Sequence, residues 1–200
     1  EITKYGFHRG NKWLHVDQSF KPSSQGLKCY QGMVNLYDSN IGDATLAILE
    51  NSNKYHSDFE KHFSYAAEKY KTNWCKLTPE ELKFYEDKGC EFHCVKAPAG
   101  SMMLWDSRTV HQGIEPMRGR PIPRLRTVAY VCMTPRSWST PKNIEKKQKA
   151  FNEKRMTSHW PNNIKLNPKT PQLYGNPMPT HINKLPDPIL SPLGLKLAGF

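Results

Sequence analysis

The chain has 200 residues, a formal net charge of +11 and 37% hydrophobic residues. That length suits one domain with an appendage and is enough to bury a real core. No apolar run approaches the roughly 18 residues that a membrane-spanning helix needs, and no basic-then-apolar leader opens the sequence. The five cysteines (Cys29, Cys75, Cys90, Cys94, Cys132) are odd in number and sit mostly in apolar runs. They are expected as free buried thiols in a reducing compartment, which points to an intracellular, cytoplasmic protein.

In chain order, residues 1–20 read as a strand after a turn at Gly10-Asn11, and Pro22 to Gly26 as a loop. Cys29 to Leu36 and Ala44 to Leu49 read as strands joined by the turn Asp38 to Asp43, a hairpin-like unit. Ser57-x-x-Glu60 predicts a capping box, followed by Phe59, Phe63 and Ala66 at helical spacing to about Tyr70. Thr78-Pro79-Glu80-Glu81 is a stronger helix start, with Lys88-Gly89 as its stop. A strand near Glu91 to Lys96, the turn Ala97 to Gly100 and a strand over Ser101 to Trp105 follow. Gly113 to Pro123 is a Gly/Pro/Arg loop, and Arg124 to Met133 is the clearest strand in the chain. Met33, Met102 and Met103 read as core, and Trp13, Trp105 and Trp138 as core or pocket wall.

The texture changes after residue 135. From Pro141 onward ten Lys/Arg stand against three Asp/Glu, among nine prolines. A polar helix is predicted near Ile144 to Arg155, and the Pro-rich remainder is expected to form little regular structure. Its apolar residues, among them Trp160, Leu173, Tyr174 and Leu193, predict a basic extension (136–200) that packs on a core domain (1–135). The net charge raises acidic or phosphate-bearing partners. No nucleic-acid motif accompanies it, so a solvated basic tail is favoured over a nucleic-acid footprint.

The chemistry concentrates in His15-Val16-Asp17. Residues i and i+2 of a strand point to the same face, so an imidazole and a carboxylate converge there. Alone, such a pair is more often a structural ion pair or a surface pair. His111 supplies a third ligand from a strand-to-loop setting before Gly113. Two His and one carboxylate make the facial triad of non-haem Fe(II) oxygenases. The Arg-bearing strand some fifteen residues later adds the cation that a 2-oxoglutarate user needs for the cosubstrate's far carboxylate. Arg126 is the first choice for that role and Arg124 the alternative, with Arg118 and Arg120 in the preceding loop. Cys90-Glu-Phe-His93-Cys94 has only half the spacing of a zinc site. His8, His56, His62, His93, His159 and His181 lack partner spacing.

These elements, in this order, resemble the phytanoyl-CoA dioxygenase family of Fe(II)/2-oxoglutarate oxygenases. The resemblance runs over about residues 13–133. It rests on His15-Val-Asp17, Met33-Val-Asn-Leu36 with Gly42-Asp43, Ala47 to Lys54, Gly100-Ser101-Met-Met-Leu, His111-Gln-Gly and Arg126-Thr-Val-Ala-Tyr. Asn53 departs from it, standing where the family commonly has a non-ligand His. The resemblance implies a mainly β, double-stranded β-helix (jelly roll, cupin-like) core with inserted helices. It implies Fe(II) on His15, Asp17 and His111, with 2-oxoglutarate on Arg126 and O2 as oxidant. Hydroxylation of a substrate would accompany decarboxylation of 2-oxoglutarate to succinate and CO2. Thr127, Tyr30 and Gln31 are candidate hydrogen-bonding partners of the cosubstrate. The expected partner is a small-molecule or anionic substrate, which the sequence does not name. The alternative reading is a catalytically inactive β-sandwich module whose basic tail binds nucleic acid or another polyanion.

Overall fold

A computed structural model describes residues 13–117, 119–120, 122, 124–168 and 186–200. Most of the expected opening strand, with the Gly10-Asn11 turn, lies outside these residues, as do His8, Arg118, Leu173, Tyr174 and His181. The protein is mainly β, with antiparallel sheets and a few helices. Its described residues divide into two compact units, one within 13–132 and one within 133–168 and 186–200. No helix among the described residues is long and apolar enough to cross a membrane.

The larger unit holds β1 (His15–Val16), β2 (Tyr30–Asn35), β3 (Thr45–Leu49), α1 (His56–His62), α2 (Ala66–Lys69), β4 (Cys75–Lys76) and α3 (Pro79–Asp87). They are followed by β5 (Phe92–Cys94), β6 (Met102–Asp106), β7 (His111–Ile114) and β8 (Val128–Met133), whose last residue belongs to the other unit. Five strands form one sheet in the order β4-β1-β7-β3-β5, and three form another in the order β6-β2-β8. β2 and β3 therefore do not pair as the hairpin their closeness predicts. β2 takes β6 as its antiparallel partner and β3 takes β5 and β7. Alternation identifies a strand, but it says nothing about which distant strand completes the ladder.

The five-stranded sheet has two unlike faces. Leu14, Val16, Cys75, Leu77, Val110 and Leu49 point to a dry face covered by Phe59, Phe63, Ala66, Phe84 and Tyr85 of the three helices. Phe20 joins them, stacked on Phe59 at 4.3 Å. Each such ring, fully buried, contributes about 1.5–3 kcal/mol. The residues between them in sequence point the other way. Gln18, fully buried, ties β1 to its surroundings. Its amide donates to the carbonyls of Ser24 and Gly26 and accepts from Ser107 Oγ at 2.6 Å.

α3 starts as its sequence predicts. Thr78 accepts from the Glu81 backbone N–H at 3.2 Å, and the Glu81 carboxylate returns a bond to Thr78 N at 2.7 Å. Lys88 closes the helix, and Gly89 leaves it with φ +77°, where a side chain would be strained. The expected Ser57 capping box is not formed. α1 begins at His56 after a 3-10 turn over Ser52–Tyr55, so Ser57 lies inside the helix and its hydroxyl donates to Gln25 Oε1 instead. Of the three methionines read as core, Met33 is buried and Met102 is half exposed. Met33 sits on the inner face of β2, whereas Met102 pairs with Val34 on the opposite face.

The smaller unit contains α4 (Pro141–Asn152), capped by Thr140, and α5 (Pro192–Ala198), capped by Ser191. α5 corrects the expectation of an irregular tail, because a proline at the first helical position favours a helix start. Gly199 ends α5, its carbonyl accepts from Gln148, and Phe200 meets Phe151 edge-on at 5.6 Å. Trp138, read as core or pocket wall, is 44% exposed.

Candidate metal centre

The inner face of the five-stranded sheet brings the three predicted ligands together. His15 on β1 and His111 on β7 are direct antiparallel partners, so their rings leave the sheet side by side, with centroids 4.4 Å apart. Asp17 follows two residues after His15 and lands on the same face. Its Oδ2 lies 3.3 Å from His111 Nε2 and 3.7 Å from His15 Nε2. One ligand atom from each residue fits within a 4.8 Å group, and all three residues are buried. Among the described residues it is the one cluster of His, Cys, Asp or Glu with this property.

The surroundings fix the ligand atoms. His15 Nδ1 is 3.1 Å from the Trp13 carbonyl and His111 Nδ1 is 2.9 Å from the Thr109 carbonyl. A ring nitrogen facing a carbonyl carries the proton, which leaves both Nε2 atoms as lone-pair donors toward Asp17. Gln31 on β2 donates from Nε2 to Asp17 Oδ2 at 2.8 Å and holds the carboxylate from the other sheet. Two lone pairs and a carboxylate converging in a buried space form a donor set that a divalent cation fits. Gln31 Oε1 and Trp105 Nε1, on residues that are cross-strand partners in β2 and β6, are buried with no hydrogen-bond partner among the described residues.

Aromatic walls close the centre. Trp13 stacks on His15 at 4.6 Å and donates its indole N–H to the Gly113 carbonyl. Trp105 lies 5.3 Å from His111 and Trp74 6.0 Å from His15. Burial, together with the nearby Asp17 charge, pushes the Cys75 thiol up to about 12. Cys132 is raised for the same two reasons, offset in part by its bond to the Gly32 backbone.

The other predicted residues separate cleanly. Arg126 reaches back over β2, with its guanidinium 3.4 Å from Met33 Sδ. Met33 shares a strand face with Gln31, which touches Asp17. Among the described residues Arg126 has no carboxylate partner, whereas Arg124 is paired with buried Asp43 at 3.3 Å. Arg120 approaches the same Asp43 at 3.6 Å. Arg124 and Arg126 both line a cleft with Asn35 and Asp43. Thr127 is exposed and alternates away from Arg126. Tyr30 is 52% exposed and alternates away from Gln31. Asn53 donates to Asp106 Oδ2 at 3.5 Å, beside the Asp106–Arg108 ion pair. His93 pairs with Glu50 at 3.3 Å rather than with Cys90 or Cys94, and all five cysteines are free thiols.

Sequence reading missed the two-residue strand β4 and with it the position of Trp74 and Lys76. Tyr70 to Leu77 carries no alternation long enough to announce a strand.

No family model matches the chain. It is 30% identical over 154 residues, 74% of its own length, to Ava biosynthesis cluster protein O of Aspergillus versicolor. The matched region covers 48% of that relative, so the chain spans about half the length of the protein it matches.

Proposed function

We propose that this chain carries the catalytic core of an Fe(II)/2-oxoglutarate-dependent dioxygenase, related to the phytanoyl-CoA dioxygenase family and built on a double-stranded β-helix. The observation that carries this reading is the buried convergence of His15 Nε2, His111 Nε2 and Asp17 Oδ2. Three protein ligands on one side of an octahedral ion leave positions for cosubstrate and oxygen. The relative's name places that protein in a biosynthesis cluster, a setting that suits a tailoring oxidation.

Fe(II) held there would supply the oxidation of a substrate C–H by O2, coupled to conversion of 2-oxoglutarate to succinate and CO2. The chain's residues supply the rest. The Trp13 and Thr109 carbonyls fix the imidazole tautomers. Gln31 sets the carboxylate, and the tryptophan walls limit water. Arg126 would pair with the far carboxylate of 2-oxoglutarate, because its guanidinium is uncommitted, whereas Arg124 is engaged by Asp43.

The test is spectroscopic. Anaerobic addition of Fe(II) and 2-oxoglutarate should give the weak visible charge-transfer band of the chelate, and His111→Ala should abolish it. A folded wild-type protein without that band would refute the proposal. Weakened 2-oxoglutarate binding in Arg124→Met but not in Arg126→Met would reassign the anchor.

A further inference from the structure

The cross-strand row that builds the metal centre does not stop at His15. On the other side of β1, His15 is the direct antiparallel partner of Lys76 on β4, the edge strand. Direct partners share a sheet face, so Lys76 leaves the sheet on the face that carries His15 and His111. Trp74, two residues earlier, is on that face too. Its indole is 50% exposed and close to the His15 ring, while Cys75 between them points into the core. Lys76 is exposed, and among the described residues nothing supplies its ammonium with a partner. Neighbouring lysines differ: Lys69, Lys71 and Lys83 are paired with Glu81, Glu68 and Asp87.

We propose that Trp74 and Lys76 form the docking edge for the substrate, and that the substrate is a carboxylate with an apolar, ring-bearing body. This rests on the reading of the triad as a metal centre. The carboxylate pairs with Lys76, and the body lies on the Trp74 indole, which holds it next to His15. Arg126 projects from the other sheet, so the two cations serve two different carboxylates, one of the cosubstrate and one of the substrate. A single ammonium is a point charge suited to a monoanion. A phosphate site would gather several donors or a guanidinium fork, and among the described residues no second lysine or arginine shares this row.

The experiment uses 3-phenylpropanoate and its neutral amide as probes of the whole chain, read by tryptophan fluorescence and calorimetry. Wild type should bind the carboxylate at least tenfold more tightly than the amide. Lys76→Met should remove that preference, Lys76→Arg should keep it, and Lys71→Met should leave it unchanged. Trp74→Leu should weaken both probes about tenfold. A preference that survives Lys76→Met, that disappears in Arg126→Met instead, or that is absent from wild type overturns the proposal. Cobalt(II) titration, followed by visible absorption, reads the metal centre separately. Carboxylate preference without cobalt binding sustains the docking edge and removes the metal reading. Cobalt binding without the preference does the reverse.

Discussion

Two of the carboxylates buried in the larger unit, Glu81 and Asp17, are treated in opposite ways by their neighbours. Glu81, with its side chain fully buried, is surrounded by protons: Tyr70 Oη at 2.6 Å, Thr78 N at 2.7 Å, Lys69 Nζ at 2.9 Å and Tyr65 Oη at 3.1 Å. Burial pushes its carboxyl up, but these four bonds outweigh it and the net shift is downward. Asp17 is almost as buried and accepts one bond from Gln31 at Oδ2, but the same oxygen faces two ring nitrogens whose Nδ1 atoms lie against backbone carbonyls. The first arrangement is complete with its own side chains. The second gathers electron pairs at one point, a geometry that a cation relieves. Buried charge alone therefore does not mark a functional site; the direction of the surrounding protons does.

Breaking the complete arrangement should have the largest effect. Glu81→Ala removes the common acceptor of four donors and should lower stability by about 4 kcal/mol. In a chain of this length the melting temperature should fall on the order of 10 °C. Glu81→Gln, which keeps an acceptor, should lose less. Neither variant should alter cobalt(II) affinity in folded protein.

A third buried group sets the acid limit. His56, stacked on Phe20, is lowered from 6.5 to about 4, chiefly by burial. A depressed imidazole contributes fully above the unfolded value. Its contribution falls as the unfolded state alone takes up a proton between about pH 6.5 and 4. The loss across that window is about 3 kcal/mol. Urea unfolding at stepped pH should show it, and His56→Phe should flatten the profile. The Glu81 carboxyl, held below its ordinary 4.5, adds a further loss that starts as the unfolded carboxyl takes up its proton and is complete once the folded one is protonated too.

Metal should act on the Asp17 region alone. Cobalt(II) at about a hundredfold above its dissociation constant should add about 2.7 kcal/mol to unfolding. Asp17→Ala and His111→Ala should lose this gain, and Glu81→Gln should retain it. The smallest effect is expected from Gln31→Ala, which frees the carboxylate without removing a ligand. Cobalt affinity should drop about tenfold, or about 1.4 kcal/mol. An unchanged affinity would mean that the Gln31 bond does not position Asp17.

What could be read from the sequence was what is local or periodic. The α3 cap is contained in Thr78 to Glu81, and the His15/Asp17 pair follows from strand alternation even though β1 spans only two residues. That His111 would join His15 and Asp17 was legible from its setting before Gly113, whereas the strand expected from Arg124 begins only at Val128. What was not legible depends on distant pairings. Nothing in Tyr65, Tyr70 and Glu81 as a string shows that they meet. The separation of β2 from β3 into two sheets is decided by β6 and β7, far along the chain. α5 was hidden by composition, because Pro192 was counted as a breaker where it serves as a starter. Arg124 and Arg126 have the same parity in the sequence, and the pairing of Arg124 with Asp43 is not legible there.

The alternation around β1 also bears on how this protein can change over generations. Leu14 and Val16 fill the dry face, and His15 and Asp17 arm the other, in four consecutive positions. One inserted or deleted residue between His15 and Asp17 would turn the carboxylate to the helix-covered side and away from the imidazoles. Single substitutions here can be graded, but a change of length cannot. Drift in length is therefore expected to accumulate in the loops between strands, while the stretch from Trp13 to Gln18 keeps its residue count in every active descendant.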